Sequence, residues 1–408
     1  MNFLDKYDQI PDDQPAQKVG FFLQAARNAP FALSAELTAH RPILQTPSFV
    51  VVADAQDVVD ALSRHEVFNV PHAPNMDPSV GPFMLARDGA NENYYEKSVM
   101  RSLLRWEDLP RIRALVASKA SAILKSCSGE VDLAATVGRQ VPAHIVDQYF
   151  GVSGPDETTL LAWSRATQMA FFYNLTRDPA LYQAGIEAGV ALRAWIDQRI
   201  EAGFDDCSET VLARLARLSA TTHAMERSRV LSNAAGLLVG AVETSAHAII
   251  QATRQLLSDP ARCEAAHNAK DDPAKFDPLV WEALRFDPIN TFVLRVASRE
   301  ATLAPGRPHA RSVSAGSLIA LMTVSPMASP GYTPDPQTFS GDRPHDTYSH
   351  FGRGHHECLG RYVGEQIIPE TVRQIFLANV TPLDDCGGTI DYKDGPFPEH
   401  YRVRLRAG

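Results

Sequence analysis

The sequence has few cysteines and no long apolar segment. Five cysteines are scattered through 408 residues, without the spacing of a metal site or the even count of a disulfide framework. No run of about 18 apolar residues is present, so no membrane span is expected. The polar N-terminus has no signal-peptide pattern. These features predict single thiols in a reducing, cytoplasmic environment.

An excess of basic residues is also absent. The formal net charge is -9, from 39 Lys and Arg against 48 Asp and Glu. We therefore expect no binding to nucleic acid and none to an anionic membrane surface. Hydrophobic residues make up 45% of the chain and charged residues 21%, which is enough for a sizeable core. The length suits one large fold or two or three ordinary domains.

One glycine-rich stretch, 351–360, contains a single cysteine and reads FGRGHHECLG. Its glycines let the backbone turn tightly and approach a flat ligand closely. A helix is predicted to begin at Arg361, and the free N–H groups of a helix N-terminus favour negative charge. A thiolate at Cys358 would be stabilised there and could serve as a metal ligand. The alternative is an ordinary turn with a buried thiol.

This stretch resembles the haem-binding signature of the cytochromes P450. The matching positions are Phe351, Gly352, Gly354, His356, Cys358 and Gly360. In that family the cysteine thiolate is the axial ligand of the haem iron, and it increases the electron density available for O–O cleavage. The resemblance therefore implies that Cys358 binds the iron and that the other matching residues belong to the haem site.

A second match lies at the centre of the longest helical pattern, 227–257. The family carries small residues there, followed by an acid and a threonine. This chain has Gly240 and Ala241, with alanine where glycine is usual, and then Glu243 and Thr244. The resemblance implies that the small residues allow close approach to haem. The ordinary alternative is a surface glutamate beside a helical threonine.

The same resemblance gives the acid and the threonine a role in catalysis. Thr244 can interrupt the helical hydrogen-bond ladder locally and offer its hydroxyl to water or dioxygen. Glu243 can feed protons from solvent. The position of the pair, well upstream of Cys358, agrees with the family pattern and favours the functional interpretation.

Several cations are expected to bind the haem propionates. Arg295 lies in an apolar segment, 291–297, that reads as a strand, and an arginine there needs a buried anion. His356 is the corresponding donor in the cysteine stretch. In the divergent segment 88–106 the family's usual histidine is missing, so Lys97 or Arg101 would supply the cation. A solvated helix face is an equally good explanation of those two residues.

Other features are structural predictions. Glu282 and Arg285 are spaced for one helix face and resemble the family's buried Glu-x-x-Arg pair, with Arg343 as the expected third partner. We also predict a helix over 131–150, a mobile loop over 69–82, and a terminal β-hairpin from Cys386 onward that turns near Asp394.

The resemblance implies a mainly α cytochrome P450 fold with a small β region, formed by residues 1–408 as a single haem domain. The implied cofactor is haem b, and the implied reaction inserts one atom of O₂ into a small, hydrophobic organic substrate. A peroxide-driven peroxygenase or a haem isomerase is the alternative, although such relatives commonly lack the acid–threonine pair. A haem sensor would not need that pair.

The implied electron donors are a separate ferredoxin and ferredoxin reductase, and the protein is expected to be a monomer. A cluster of basic residues could steer an acidic ferredoxin. The alternative is that these are scattered, solvated charges. The cluster comprises Lys97, Arg101, Arg105, Arg111, Arg113 and Arg361.

Overall fold

The structure is a computed structural model that describes residues 2–174, 178–205, 207–384, 387–393 and 395–405. The α-helices are α1 Phe3–Gln9, α2 Pro15–Asn28, α3 Pro30–His40, α4 Ala55–Ser63, α5 Ala73–Met76, α6 Glu96–Leu103, α7 Leu109–Lys125, α8 Arg139–Ile145, α9 Glu157–Gln168, α10 Pro179–Glu201, α11 Val211–Thr222, α12 Arg227–Leu257, α13 Pro260–Ala269, α14 Pro273–Phe286, α15 Ser325–Ala328 and α16 Arg361–Leu377.

The strands are short, which makes the protein mainly α with a small β region. They are β1 Ile43–Gln45, β2 Val50–Val52, β3 Phe68–Asn69, β4 Gly129–Asp132, β5 Val293–Ala297, β6 Ala301–Leu303, β7 Arg311–Val313, β8 Leu318–Leu321, β9 Val380–Thr381, β10 Ile390–Asp391 and β11 His400–Leu405. The described residues also contain four π-helical segments. Ala90–Tyr95 precedes α6, Ala134–Gly138 and Val146–Phe150 flank α8, and Met169–Tyr173 ends α9.

The chain forms two compact units. The first contains residues 2–71 and 288–358, and its centre is a five-stranded sheet in the order β1-β2-β8-β5-β3. Alternation along the strands separates two apolar clusters, as the period of two requires. Val50 and Val52 belong to the cluster that includes α4, whereas Val51 belongs to the one that includes α2 and α3.

The second unit contains residues 72–287 and 359–405 of the described chain and is built around α12. This helix packs against α8, α9, α10, α14 and α16, and it is buried along most of its 31 residues. A small sheet joins β4, β9, β10 and β11, with β11 antiparallel to the other three. Within the described ranges, no helix has both the length and the apolarity to cross a bilayer.

Two local predictions differ from the structure. The helix predicted over 131–150 begins only at Ala134 and continues to Phe150 through π- and α-helical turns, because Val131 lies in β4 and pairs with Val403 of β11. The segment 69–82 contains the short helix α5, and its Met76 and Val80 are fully buried. In both cases contacts with distant parts of the chain decide the local structure, and single-sequence patterns do not contain them.

Other predictions agree with the structure. The central helix has the bounds expected for it, Arg227–Leu257. The terminal hairpin is present, with Ile390 of β10 opposite Tyr401 of β11. Its expected start at Cys386 and its turn residue Asp394 lie outside the described residues.

Candidate functional site

The cysteine loop is shaped by two glycines in the left-handed region. Gly352 has φ +71° and Gly354 has φ +74°, values that residues with a side chain rarely adopt. The Cys358 N–H donates to the carbonyl of Phe351 at 2.8 Å, and the Glu357 N–H donates to that of Gly354 at 3.0 Å. The loop thus folds back on itself and presents an exposed Cys358 side chain.

The loop is also fastened to its surroundings in the first unit. Arg353 donates from Nε to Ser349 Oγ at 2.9 Å and from Nη2 to the carbonyl of Asp346 at 2.6 Å. A Cβ added at Gly354 would lie 3.2 Å from the carbonyl oxygen of Leu62, at the end of α4. Close packing and backbone conformation therefore both favour glycine at position 354.

Two basic residues proposed for an anionic ligand are in this unit as well. Arg295 is at the middle of β5, opposite Ile319 of β8, and is 6% exposed. Its Nη1 donates to the carbonyl of Leu294 at 2.8 Å. His356 ends a 3₁₀ turn, Gly354–His356, and is half-buried. A buried guanidinium and an imidazole are suitable donors for carboxylate groups.

The centre of α12 differs from the rest of that helix. Gly240 is exposed, and Ala241 and Thr244 are only half-buried, whereas the residues on either side are buried. A Cβ added at Gly240 would meet nothing within 4 Å. Residues at positions i, i+1 and i+4 share one side of a helix, so α12 has an open face of small side chains.

Thr244 lies on this open face. Its hydroxyl donates to the carbonyl of Gly240 at 2.6 Å, and α12 continues through this point as one α-helix. The expected local interruption of the helix is therefore not seen. In this arrangement the threonine hydroxyl proton is donated to the carbonyl four residues earlier, and the hydroxyl oxygen can still accept a hydrogen bond from another group.

Glu243 is buried, with 1% of its surface exposed. Its Oε1 accepts hydrogen bonds from Arg139 at 2.6 and 3.1 Å, and its Oε2 lies 3.0 Å from Arg165 Nη2. Burial raises the pKa of Glu243, and the two guanidinium groups oppose that rise. The carboxylate is therefore almost completely shielded from solvent and is enclosed with two guanidinium groups.

Arg165, in α9, joins the acid to the terminal hairpin. Its Nη1 contacts Glu399 Oε1 at 2.5 Å, and its guanidinium lies 4.6 Å from the centre of the Phe397 ring. Phe397 packs edge-on against Tyr173, whose pKa is raised to about 12 by burial and by the nearby Glu243 charge. Sequence reasoning missed Arg139 and Arg165. The sequence indicates that a buried acid at position 243 would need a cation as a partner, but it does not indicate which residue supplies that cation.

Lys97 and Arg101 lie on α6 in the second unit. Lys97 is half-buried and Arg101 is exposed. Glu96, at the start of α6, is buried. Its carboxylate accepts hydrogen bonds from Asn233 Nδ2 at 2.7 Å and from Arg229 Nε at 2.5 Å, both on α12. These contacts fix the orientation of α6.

The basic cluster predicted for partner docking is smaller than expected. Arg113 is held by Asp277 and Glu370, at 2.7 and 2.9 Å, so its inclusion in a free basic surface was wrong. Arg105 pairs with Glu209 at 3.3 Å but remains exposed, as does Arg101. Arg361 pairs with Glu365 at 2.9 Å.

An exposed aromatic pair accompanies these arginines. Trp106 is 63% exposed and Tyr362 is 40% exposed, and their ring centres are 4.3 Å apart. With Arg101 and Arg105 they line a small pocket that also includes Leu359, the residue after Cys358. We call the four residues Arg101, Arg105, Trp106 and Tyr362 the Trp106 surface.

The buried pair Glu282 and Arg285 has the predicted geometry. Two hydrogen bonds, of 2.7 and 2.9 Å, join the carboxylate to the guanidinium, and both side chains are fully buried. Arg343, in the first unit, donates to the carbonyls of Pro334, Asp335 and Thr338. A buried pair of this kind destabilises the fold strongly when one member is removed.

Comparisons with known proteins find bacterial oxygenases among the relatives in sequence. The chain is 23% identical to cyclomarin C epoxidase of Salinispora arenicola over 300 residues, which cover 73% of each chain. It is 26% identical to the cytochrome P450 monooxygenase PikC of Streptomyces venezuelae over 284 residues, 68% of this chain and 64% of that protein. No protein-family model matches the chain.

The fold is also that of solved cytochrome P450 structures. CYP109E1 of Bacillus megaterium in complex with testosterone superimposes with a TM-score of 0.80 at 17% identity, over 93% of this chain and 99% of that one. The chain therefore has the fold of the cytochromes P450, and its relatives in sequence are bacterial monooxygenases and epoxidases.

The residues fit a haem group. The first unit has an exposed thiol on a glycine loop and basic side chains for carboxylates, Arg295 and His356. The second has the open face of small residues on α12, where a Cβ at Gly240 would have space. Each unit by itself therefore has features that suit a haem group: a soft thiol ligand and cations for carboxylates in the first, and a flat, uncrowded helix face in the second.

Proposed function

We propose that the protein is a cytochrome P450 monooxygenase, in which the Cys358 thiolate would bind the haem iron and Glu243 and Thr244 would control proton supply to the oxygenation reaction. The observation that carries the proposal is the cysteine loop, whose two left-handed glycines and internal hydrogen bonds present one thiol. When bound, haem supplies the reductive activation of O₂. In this proposal Arg295, His356 and Lys97 or Arg101 neutralise the propionates.

The acid and the threonine have different tasks in this proposal. Thr244 donates to Gly240, so its oxygen is oriented to accept a hydrogen bond on the open face of α12. Glu243 holds or releases a proton next to this face, and Arg139 and Arg165 determine when it does so. Release of one arginine would open a path from solvent to the carboxylate.

The proposed substrate is a compact, hydrophobic natural product or steroid. Two of the proteins reported above act on or bind such molecules by name, cyclomarin C and testosterone. The aromatic pair Tyr173 and Phe397 would contribute apolar contact surface. Spectral titration with a panel of steroids, macrolides, terpenes and fatty acids would identify a substrate.

The proposed electron donor is an acidic ferredoxin, itself reduced by a ferredoxin reductase. The Trp106 surface supports this because it combines two exposed arginines with two exposed aromatic rings. Charge steers an acidic partner, and aromatic side chains frequently provide the binding energy at such interfaces. We further propose a monomeric, cytoplasmic protein, which sedimentation and cell fractionation would test.

The decisive experiment compares two oxidant systems with one converted compound from the panel. Turnover with NADH, ferredoxin reductase and ferredoxin should far exceed turnover with hydrogen peroxide alone. Equal or faster turnover with peroxide alone would favour the peroxygenase alternative and remove the need for the Trp106 surface. Omission of ferredoxin is the control for direct reduction.

A further inference from the structure

The cysteine loop has a support outside its own sequence, at the end of α4. The ring of His65, two residues after α4, stacks on the ring of His355. The two ring centres are 4.0 Å apart and the planes differ by 8°. The neighbouring residue Gly354 lies close to Leu62 of the same helix. The loop thus rests on the segment 62–65 through a glycine and an imidazole.

His65 itself is held firmly. Its carbonyl accepts a hydrogen bond from Asn69 Nδ2 at 2.7 Å. The preceding Arg64 donates to the carbonyl of Thr302 at 2.9 Å and to Asp60 at 3.1 Å. Just beyond, β3 pairs with β5, the strand that carries Arg295. The backbone that carries the His65 ring is therefore held in place beside the cysteine loop.

The contact continues toward the proposed haem ligands. His355 meets His356 edge to face, with 4.9 Å between ring centres and 87° between planes. His356 is the residue proposed to bind a propionate, and Cys358 follows two residues later. A displacement of His355 would therefore disturb both the imidazole of His356 and the turn that presents the thiol, because residues 354–356 form one 3₁₀ turn.

We propose that His65 is a positioning residue for the cysteine loop, and that its stacking on His355 holds Cys358 in the geometry needed for thiolate ligation. This inference rests on the proposed role of Cys358. The stack requires an aromatic ring at position 65 rather than a titratable group.

The test uses His65→Ala, which removes the ring, and His65→Phe, which keeps one. His40→Ala, at an exposed position in the same unit, is the matched control. The readouts are the ratio of the ~450 nm to the ~420 nm band of the reduced carbon monoxide complex, which reports thiolate ligation, and the rate of haem transfer to apomyoglobin. Because His65→Ala loses one aromatic contact, the ratio of the two bands should fall and the rate of haem transfer should rise, each by about two- to tenfold.

His65→Phe should be close to the parent protein, and His40→Ala should equal it. The inference is wrong if the alanine and phenylalanine variants behave alike, or if His65→Ala keeps the parent ratio and transfer rate. Should His65→Ala fold poorly, His355→Phe combined with His65→Phe gives a second measurement, since two rings can still stack. A parent protein without the ~450 nm band would instead contradict the role of Cys358.

Discussion

The cysteine loop and the centre of α12 are stabilised in different ways. The loop depends mainly on glycine conformation and on hydrogen bonds within residues 346–358, with one outside support at Leu62 and His65. Glu243 depends on side chains that are far away in sequence, Arg139 in α8 and Arg165 in α9. The loop should therefore be sensitive to substitutions within it, whereas the acid should be sensitive to substitutions at remote positions.

The largest effect is expected inside the loop. Gly354→Ala combines a left-handed φ with a Cβ 3.2 Å from the Leu62 carbonyl, whereas a Cβ at Gly352 would be 3.9 Å from the His356 carbonyl. Gly354→Ala should lower haem content severely and Gly352→Ala less, since strain at such positions costs about 1–3 kcal/mol. Haem-to-protein absorbance ratios measure this. Gly20→Ala, in open space on α2, is the control. Equal haem content in all three would contradict a locally determined loop.

The next effect concerns the open face of α12. Thr244→Ala removes the hydroxyl oxygen that we expect to accept a hydrogen bond there. NADH consumption should continue while product falls and hydrogen peroxide rises. Thr221→Ala, which removes a comparable back-bonding hydroxyl from exposed α11, serves as control. Unchanged coupling in Thr244→Ala would mean that Glu243 or water suffices.

A remote substitution should alter the acid. Arg165→Gln leaves Arg139 as the remaining arginine that is paired with Glu243 in the ion pairs described above. The pKa of Glu243 should therefore rise further. As a result, the acidic limb of the plot of product formed per NADH against pH should move to higher pH. Arg227→Gln, at an exposed arginine paired with Asp197, is the control. Product formed per NADH, measured from pH 5.5 to 8.5, would show the shift; profiles that superimpose would contradict the proposed gate.

The same variant makes a stability prediction. The raised pKa of Glu243 means that the folded state holds its proton to higher pH than the unfolded state does. The free energy of unfolding therefore decreases as pH rises above the ordinary glutamate range. Arg165→Gln should steepen that decrease, with a loss of about 1–3 kcal/mol near neutral pH and less at pH 4. Urea unfolding at the two pH values measures it; an equal loss at both would be inconsistent with a charge effect.

The smallest effect is expected at the Trp106 surface, which neither region requires for folding. Arg101→Glu with Trp106→Ala should slow reduction by ferredoxin by roughly tenfold at low ionic strength and less at high salt. Substrate titration should be unchanged. Arg402→Glu, at an exposed position on β11, is the charge-matched control. Stopped-flow reduction rates that change neither with salt concentration nor with the substitutions would contradict this docking model.

The contrast also explains what could be predicted from sequence. The bounds of α12, the cysteine loop and the Glu282–Arg285 pair follow from local patterns, and all three are found in the structure. The partners of Glu243 do not, because Arg139 is 104 residues away. The stacking of His65 on His355 could not be predicted from a local sequence pattern either, because the two residues are far apart in the chain. The prediction of helix for residues 131 and 132, the end of β4, was wrong because the partner strand of β4 lies near the end of the chain.

The central claim is that the cysteine loop presents Cys358 as the thiolate ligand of haem. Its most direct test is the absorption spectrum of the reduced protein under carbon monoxide, recorded for the parent and for Cys358→His. We predict a band near ~450 nm in the parent, as expected for a thiolate-ligated haem, and its loss in the variant. A variant that retained this band would contradict the assignment of Cys358, and with it the proposed site.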